Sequence, residues 1–249
     1  MITGGAGLLG PEFAEALAGA GARVMLVDLH EEKGRKTAAR VARTTAGSVC
    51  FHKADVSDPA AVDSLFKVVA KTFKRVDILV NAVIGVGKNH FGPLEDYTWE
   101  DWNHVMRVSV GSTFLCSKAA AALMKKKKSG VIINMGSIYG VVGADPRIYG
   151  KSGINSPAVY AASKGAILNL TRYLAVYLAP YGIRVNALSP GGVWNHQDPG
   201  FVKRYSARNP MNRMLLKEEL RGSLLFLASQ ASSYVNGHNL MVDGGWTAW

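Results

Sequence analysis

The chain has 249 residues, of which 48% are hydrophobic and 19% charged, and its formal net charge is +11. This composition is typical of a globular protein, and the absence of linkers, repeats and low-complexity tracts predicts one domain. No run approaches the roughly 18 apolar residues of a membrane span, so we expect no membrane partner. We also expect a cytoplasmic location, because no secretory leader is seen and Cys50 and Cys116 suit a reducing compartment.

A glycine-rich segment, MITGGAGLLGP, opens the chain at residues 1–11. Residues 5–10 match G-x-G-x-x-G, which lets the backbone approach a pyrophosphate closely at the N-terminus of a helix. Pro11 suits the first turn of that helix. Only Met1 and Ile2 stand where a strand should precede the loop, so we expect the first strand to be truncated or unusually short.

Strand-like and helix-like runs alternate along the rest of the chain. The strand-like runs are continuously apolar and rich in β-branched residues, as in parallel strands that are buried on both faces. The alternation predicts an α/β fold, a doubly wound parallel sheet of the Rossmann type with helices on both faces. The predicted strands are residues 23–28, 48–55, 76–83, 130–137, 182–190 and 239–245, and the predicted helices are residues 12–20, 31–46, 59–73, 99–125, 158–179 and 217–229.

Asp28 ends the second strand-like run, about eighteen residues beyond the glycine loop. A carboxylate at this position can accept hydrogen bonds from both hydroxyls of an adenosine ribose and would repel a 2′-phosphate. The glycine loop contains no basic residue. We therefore predict NAD as the cofactor and NADP as the less favoured one, the alternative being that Asp28 only caps a turn or helix.

The densest basic run is KKKK at residues 125–128. Cations suit the negative end of a helix dipole, so we interpret this run as a solvated helix end. No aromatic residues interleave with it, and we expect no nucleic-acid partner. The scattered positive charge elsewhere favours an anionic substrate.

Tyr160 and Lys164 are four residues apart in YAASK, so they share one face of a predicted helix. A phenol with a pKa near 10 is a poor base, but an adjacent ammonium stabilises the phenolate and lowers that pKa. Ser137, at the end of a predicted strand, can hydrogen-bond a substrate oxygen on which charge develops. Together the three side chains predict proton transfer at an alcohol oxygen.

These motifs resemble the short-chain dehydrogenase/reductase family over essentially the whole chain. The matching segments are YAASK, NMGS at residues 134–137, SPGGV at 189–193, VDGG at 242–245 and ADV at 54–56. The resemblance implies an NAD(P)-dependent alcohol dehydrogenase or ketoreductase with a small-molecule substrate and no metal. It also implies cofactor contacts from Thr3, Gly4, Gly7, Leu8, Leu9, Gly10, Asp28, Leu29, Asp55, Val56, Asn81, Ala82, Tyr160, Lys164, Pro190, Gly191 and Val193.

The resemblance further implies a homotetramer or homodimer built on the predicted helices 99–125 and 158–179. Small residues such as Ala161 and Gly165 in the second of these helices would allow close approach. We expect Trp246 and Trp249, which would otherwise be exposed aromatic residues near the end of the sequence, to lie at another interface.

Several features of the sequence depart from the family pattern, including Asn195, which stands where a threonine often contacts the cofactor amide. Thr3 and Gly4 begin a T-G-x-x-G-x-x-G spacing that is similar to that of longer, nucleotide-sugar-processing members. Ala82 replaces a loop asparagine, and Ser109 stands where a helix asparagine would hold a relay water. A serine hydroxyl is shorter and has one donor, so we expect Ser109 to take part in catalysis with slower or rerouted proton transfer.

Tyr149 competes with Tyr160 for the role of base. It lies twelve residues after Ser137, which is close to the usual family gap. Its nearest lysine, Lys151, is two residues on, where helical side chains do not face each other. We therefore assign the base to Tyr160 and interpret the extra residues as an insertion that widens the rim of the cleft.

Two polar segments would border the substrate, a substrate loop at about 143–158 and a lid at about 194–214. Their basic residues either face water and neighbouring subunits or bind a carboxylate or phosphate in the cleft. We expect a sugar, a sugar acid or a similar polar or anionic substrate. The alternatives are a 3-oxoacyl-type reductase, marked by NADPH preference, and a non-catalytic dinucleotide-binding protein. The lid's basic residues are Lys203, Arg204, Arg208 and Arg213.

Overall fold

Seven parallel strands and eight α-helices make up the chain in the computed structural model, which describes residues 1–88 and 91–249. The strands are β1 (Ile2–Thr3), β2 (Val24–Asp28), β3 (Val49–Lys53), β4 (Ile78–Asn81), β5 (Gly130–Met135), β6 (Ile183–Pro190) and β7 (Asn239–Val242). The helices are α1 (Gly10–Gly19), α2 (Glu31–Thr44), α3 (Pro59–Phe73), α4 (Trp99–Met106), α5 (Ser112–Lys127), α6 (Ala158–Leu178), α7 (Pro199–Arg208) and α8 (Leu220–Ala228).

The strand order is β3-β2-β1-β4-β5-β6-β7, and every pairing is parallel. The direction of winding therefore reverses between β1 and β4. In sheets of this kind, a crevice opens at the carboxyl ends of the strands at such a reversal. The predicted doubly wound fold is confirmed.

Both faces of the sheet are covered by an apolar core. Met25 and Val27 of β2 pack into a cluster with residues of α3, α5 and α6, whereas Val24 and Leu26 pack into a cluster with α1 and α8. Successive side chains of a strand point to opposite faces, so continuous apolar runs are what a sheet buried on both sides requires.

The strand before the glycine loop has only two residues, as expected for an unusually short strand. It nevertheless pairs on both sides, with Ile2 opposite Leu26 of β2 and opposite Val80 of β4. The side chain of Thr3 is buried, and its Oγ1 accepts a hydrogen bond from the Ala82 backbone at 3.3 Å. The loop that follows β4 is therefore tied directly to β1.

The structure changes two predicted elements. The predicted helix at 99–125 is interrupted by a π-helical turn, Arg107–Gly111, where the Thr113 hydroxyl donates to the Ser109 carbonyl at 2.8 Å. The lid contains α7, which the sequence analysis did not predict. None of the helices in the described ranges is long and apolar enough to cross a membrane.

Candidate active site

The carboxyl ends of the strands border two adjoining cavities. The Asp28 cavity, of about 460 Å³, is lined by residues around Asp28 and Asp55. The Ser137 cavity, of about 370 Å³, is lined by Ser137, Tyr160 and Lys164 among others. Four residues line both cavities, which therefore form one groove across the switch in strand order: Gly4, Gly7, Ala82 and Ile84.

The glycine loop fits a pyrophosphate. Gly4 has a φ of +68°, and a Cβ there would lie 2.6 Å from the Ala82 carbonyl oxygen. A Cβ on Gly10 would lie 2.5 Å from the Gly5 carbonyl oxygen, so α1 can begin against the loop only with glycine. The first turn of α1 brings backbone N–H groups and positive dipole potential to this part of the groove.

Asp28 lines its cavity with a side chain that is 11% exposed. Its two carboxylate oxygens accept hydrogen bonds from the Ala6 N–H at 2.9 Å and the His30 N–H at 3.0 Å. Burial would raise the pKa of Asp28, but the hydrogen bonds from His30 and Ala6 hold it below its ordinary value. The carboxylate is thus ionised at neutral pH, and it retains acceptor positions for ribose hydroxyls.

The rest of the Asp28 cavity suits an adenosine group. Leu29 and Val56 provide apolar walls, and Asp55 accepts hydrogen bonds from the backbone and hydroxyl of Ser57 at 2.8 and 2.7 Å. Two basic side chains that the sequence analysis missed, Lys33 and Arg107, also line this cavity, and Arg107 donates to the Ser57 hydroxyl at 2.8 Å. Lys33 lies five residues after Asp28, where its position in the sequence was a usable signal, whereas only the tertiary structure brings Arg107 to this cavity.

The predicted catalytic residues Ser137, Tyr160 and Lys164 meet in the other cavity. Ser137 follows β5, and its Oγ accepts from the Tyr139 N–H at 3.2 Å, which leaves its own proton to donate. Lys164 donates to the Met135 carbonyl at 2.8 Å, with its Nζ 5.6 Å from the centre of the Tyr160 ring. Burial raises the pKa of Tyr160, while hydrogen bonding with Ser137 opposes that rise.

Lys164 is buried, and burial lowers its pKa to about 8. An unfolded lysine has a pKa near 10.4. Between these values the unfolded chain binds more protons than the folded chain, so this residue makes the free energy of unfolding rise with pH. Between about pH 7 and pH 9.5, the free energy of unfolding of the cofactor-free protein should therefore rise by about 2 kcal/mol more than that of Lys164→Met. Denaturant unfolding at a series of pH values measures this difference. Parallel pH profiles for the two proteins would contradict this prediction.

Tyr149 lies in the same cavity but not beside Lys164. It ends a 3₁₀ turn, Pro146–Tyr149, and its ring packs against Phe201 of α7 at 5.5 Å between centroids. The residues around Tyr149 therefore form loop and turn rather than α-helix, as the sequence analysis predicted. The tyrosine that the structure places near the buried lysine is Tyr160.

Among the described residues, four predicted site residues lie behind the cavity walls. Ser109 is fully buried in the π-helical turn, and its Oγ accepts from the Gly85 N–H at 2.9 Å. This hydroxyl thus holds the loop after β4, and its part in a proton relay stays a prediction. The side chain of Asn81 donates to Asn134 of β5 at 2.8 Å. The four residues that line neither cavity are Thr3, Gly10, Asn81 and Ser109.

Three lid arginines have partners within the chain. Arg204 donates to the carbonyls of Ile148 and Tyr149, at 2.8 and 3.2 Å. Arg208 pairs with Asp145 at 2.7 Å, and Arg213 pairs with Glu219. None of the three lines the Ser137 cavity, and these contacts favour the alternative in which the arginines do not bind the substrate.

Trp246 also departs from expectation. It is 8% exposed and stacks on Tyr205 with ring centroids 4.4 Å apart, so it belongs to the core under the lid rather than to a surface. Trp249, in contrast, is 82% exposed. Trp246 therefore needs no partner surface to cover it, because α7 folds back over the segment that follows β7. A place for Trp249 at an interface stays a prediction.

The residues that α7 brings to the Ser137 cavity were not predicted from the sequence. Phe201 and Tyr205 are one helical turn apart and line it, and Met214 follows from the end of the lid. A usable signal was present: Asp198 and Pro199 form a helix start, in which Asp198 accepts from the Phe201 N–H at 2.9 Å.

Comparisons with known proteins match the whole chain. A family model described as enoyl-(acyl carrier protein) reductase matches residues 7–247. Cyclopentanol dehydrogenase of Comamonas sp. is 34% identical over 100% of this chain and 96% of its own. A short chain dehydrogenase from Leptospira borgpetersenii with bound NAD+ is 39% identical, with a TM-score of 0.86 over 99% of this chain and 91% of its own. A gluconate 5-dehydrogenase from Burkholderia cenocepacia, in complex with NADP and tartrate, is 33% identical, with a TM-score of 0.87 over 100% and 94%.

Proposed function

The chain belongs to the short-chain dehydrogenase/reductase family of oxidoreductases, and on that premise we propose that it interconverts a secondary alcohol and a ketone with NAD as cofactor. The observation that carries this proposal is the meeting of Ser137, Tyr160 and Lys164 in one cavity. That cavity adjoins a second one that suits an adenosine diphosphate group.

Tyr160 is the proposed base that removes the hydroxyl proton from the alcohol. Lys164, held by the Met135 carbonyl, brings an ammonium close to the phenol and stabilises the phenolate. Ser137 donates its hydroxyl proton to the oxygen of the substrate, on which negative charge develops. When bound, NAD supplies a nicotinamide ring that accepts the hydride from the carbinol carbon.

Asp28 supports the choice of NAD over NADP. Its ionised carboxylate lines the cavity where an adenosine ribose would lie, and it would repel a 2′-phosphate. Lys33 in the same wall acts in the opposite direction, since an ammonium attracts phosphate. One solved relative binds NAD+ and another NADP, so experiment has to decide this choice.

We infer a polar but uncharged substrate. The described lining of the Ser137 cavity carries hydroxyl groups and aromatic rings, and its only cation among those residues is Lys164. The loop at 143–158 and the lid at 194–214 would border this substrate, because Tyr149 from the first and Phe201 from the second line the cavity. A sugar or polyol fits these walls better than a sugar acid.

Initial rates with NAD and NADP on polyols, sugar acids, simple secondary alcohols and a 3-oxoacyl thioester test the proposal, read by the absorbance of reduced nicotinamide. We expect turnover of neutral alcohols with NAD. Strong NADPH-dependent reduction of the thioester would instead establish a 3-oxoacyl-type reductase. Cofactor binding without turnover of any compound would favour a non-catalytic dinucleotide-binding protein.

We also infer assembly into a homotetramer or homodimer through α5 and α6. Their outer faces expose large apolar side chains, including Phe114 at 47%, Tyr173 at 63% and Val176 at 78%. Exposed apolar patches of this kind mark interaction surfaces. Val176→Glu should shift the assembly to monomer in light scattering at micromolar concentration, whereas a monomeric wild-type protein would contradict the inference.

A further inference from the structure

Besides Tyr205, whose hydroxyl accepts from the Gly192 N–H, the Ser137 cavity contains two phenols that the proposed proton transfer does not use. Tyr139 lies in the 3₁₀ turn after Ser137, and its ring stands edge-on to that of Tyr160, with centroids 6.4 Å apart. Tyr149 enters from the inserted segment, and both phenols line the cavity. A single alcohol oxygen hydrogen-bonds only to Ser137 and Tyr160, so the hydroxyls of Tyr139 and Tyr149 are available for another group of the substrate.

Tyr139 and Tyr149 line the same cavity, and burial together with the nearby Tyr149 phenol raises the pKa of Tyr139. Even where two hydroxyls hydrogen-bond each other, the bond uses one proton and leaves the other available. Among the neighbouring polar groups, the Gln197 amide bonds to the backbone of Val193 and Asn195, and the Tyr205 hydroxyl accepts from the Gly192 N–H and keeps its own proton to donate. The Tyr139–Tyr149 pair likewise keeps at least one phenol proton to donate to a bound molecule.

Tyr149 is held in place from two sides. Arg204 of α7 donates to the Ile148 and Tyr149 carbonyls, and Phe201 packs against the Tyr149 ring. The chain then turns at Gly150, whose φ of +61° disfavours any residue with a Cβ. A phenol fixed in this way can donate in one direction with little loss of side-chain freedom on binding.

We propose that the Tyr139–Tyr149 pair is a subsite for a second substrate oxygen, on the carbon next to the one that is oxidised. The substrate class is then a vicinal diol, and an α-hydroxy ketone in the reverse direction. This inference rests on the proposed function. The second hydroxyl makes and breaks no covalent bond: the hydride leaves the carbinol carbon for the cofactor, and the proton of that carbinol goes to Tyr160.

A monoalcohol would leave the phenol proton of this pair without an acceptor inside the cavity. Sites with hydrogen-bonding groups placed for a substrate hydroxyl reject analogues that lack it. We therefore expect kcat/KM to be about tenfold or more higher for cyclopentane-1,2-diol than for cyclopentanol, both assayed with NAD.

Tyr149→Phe tests the subsite, because it removes only the hydroxyl. It should lower kcat/KM for the diol about tenfold and change that for cyclopentanol less than about twofold. Tyr234→Phe, at a fully exposed position, is the matched control and should change neither. Equal kcat/KM for the two alcohols in the wild type, or an equal loss for both in Tyr149→Phe, would overturn the subsite while leaving the proposed function intact.

A binding measurement separates the two proposals. In calorimetry with the Tyr160→Phe protein and NAD, the diol should bind more tightly than cyclopentanol, and adding Tyr149→Phe should remove the difference. Absence of turnover of either alcohol with NAD or NADP would count against the proposed function, and this binding comparison would still decide the subsite. Equal binding of the two alcohols would refute it.

Discussion

Tyr160→Phe should lower turnover at least about a thousandfold while the protein still binds NAD. The substitution removes the only phenol placed beside the buried Lys164 among the described residues, and with it the proposed base. General acid–base catalysis typically contributes a factor of about a hundred to ten thousand. Most of the proposed cofactor contacts lie in the glycine loop and the Asp28 cavity, so the loss of the one predicted from the Tyr160 hydroxyl should leave NAD bound.

Steady-state rates and calorimetric titration with NAD measure the two halves of this prediction. Tyr149→Phe is the matched variant: it removes a phenol from the same cavity and should change kcat/KM for cyclopentanol less than about twofold. The reverse pattern, with Tyr149→Phe inactive and Tyr160→Phe active, would overturn both the catalytic assignment and the interpretation of residues near 145–157 as an insertion. Loss of NAD binding in Tyr160→Phe would show that the substitution damages the groove.

Asp28→Ala should weaken the binding of NAD and lower the ratio of kcat/KM with NAD to kcat/KM with NADP about a hundredfold. Two hydrogen bonds from ribose hydroxyls to a carboxylate are lost, at about 1.5 kcal/mol or more each. Repulsion of the 2′-phosphate also ends, and Lys33 in the same wall can then attract it. A wild-type preference for NADPH would contradict the assignment of Asp28.

Asp28 also holds the glycine loop through the Ala6 N–H, so the alanine variant alone could mix two effects. Asp28→Asn separates them, because it keeps an acceptor for that N–H but removes the charge. Glu31→Gln is the control: its carboxylate is nearby in sequence, pairs with Arg35 and lies outside the cavity lining. Only the two Asp28 variants should change the cofactor ratio.

Local patterns accounted for the elements of the sheet and for the pairing of Tyr160 with Lys164. Apolar runs of strand length predict buried parallel strands, and the structure places each of the six runs in the sheet within a few residues. A four-residue spacing on a helix brings two side chains to one face whatever surrounds it. Such inferences depend on short-range geometry that the order of residues determines.

Only the tertiary structure determines which residues the side chains of the lid, the C-terminal segment and the π-helical turn contact. Arg204 reaches carbonyls more than fifty residues earlier in the chain, and Trp246 is covered by Tyr205 of α7. Ser109 meets Gly85 only because the π-helical turn packs against the loop after β4. No spacing rule encodes contacts between segments so far apart.

For this protein, then, the sequence by itself determined the doubly wound fold, the glycine loop and the Tyr160–Lys164 pair, because periodicity and fixed spacing express them locally; Ser137 came from the resemblance to the family. Folding decided that Arg204 and Arg208 contact the inserted segment, and that Tyr149 and Tyr139 line the cavity that holds the candidate base. These contacts follow from how α7 and the insertion pack on the sheet, and packing is a property of the whole chain.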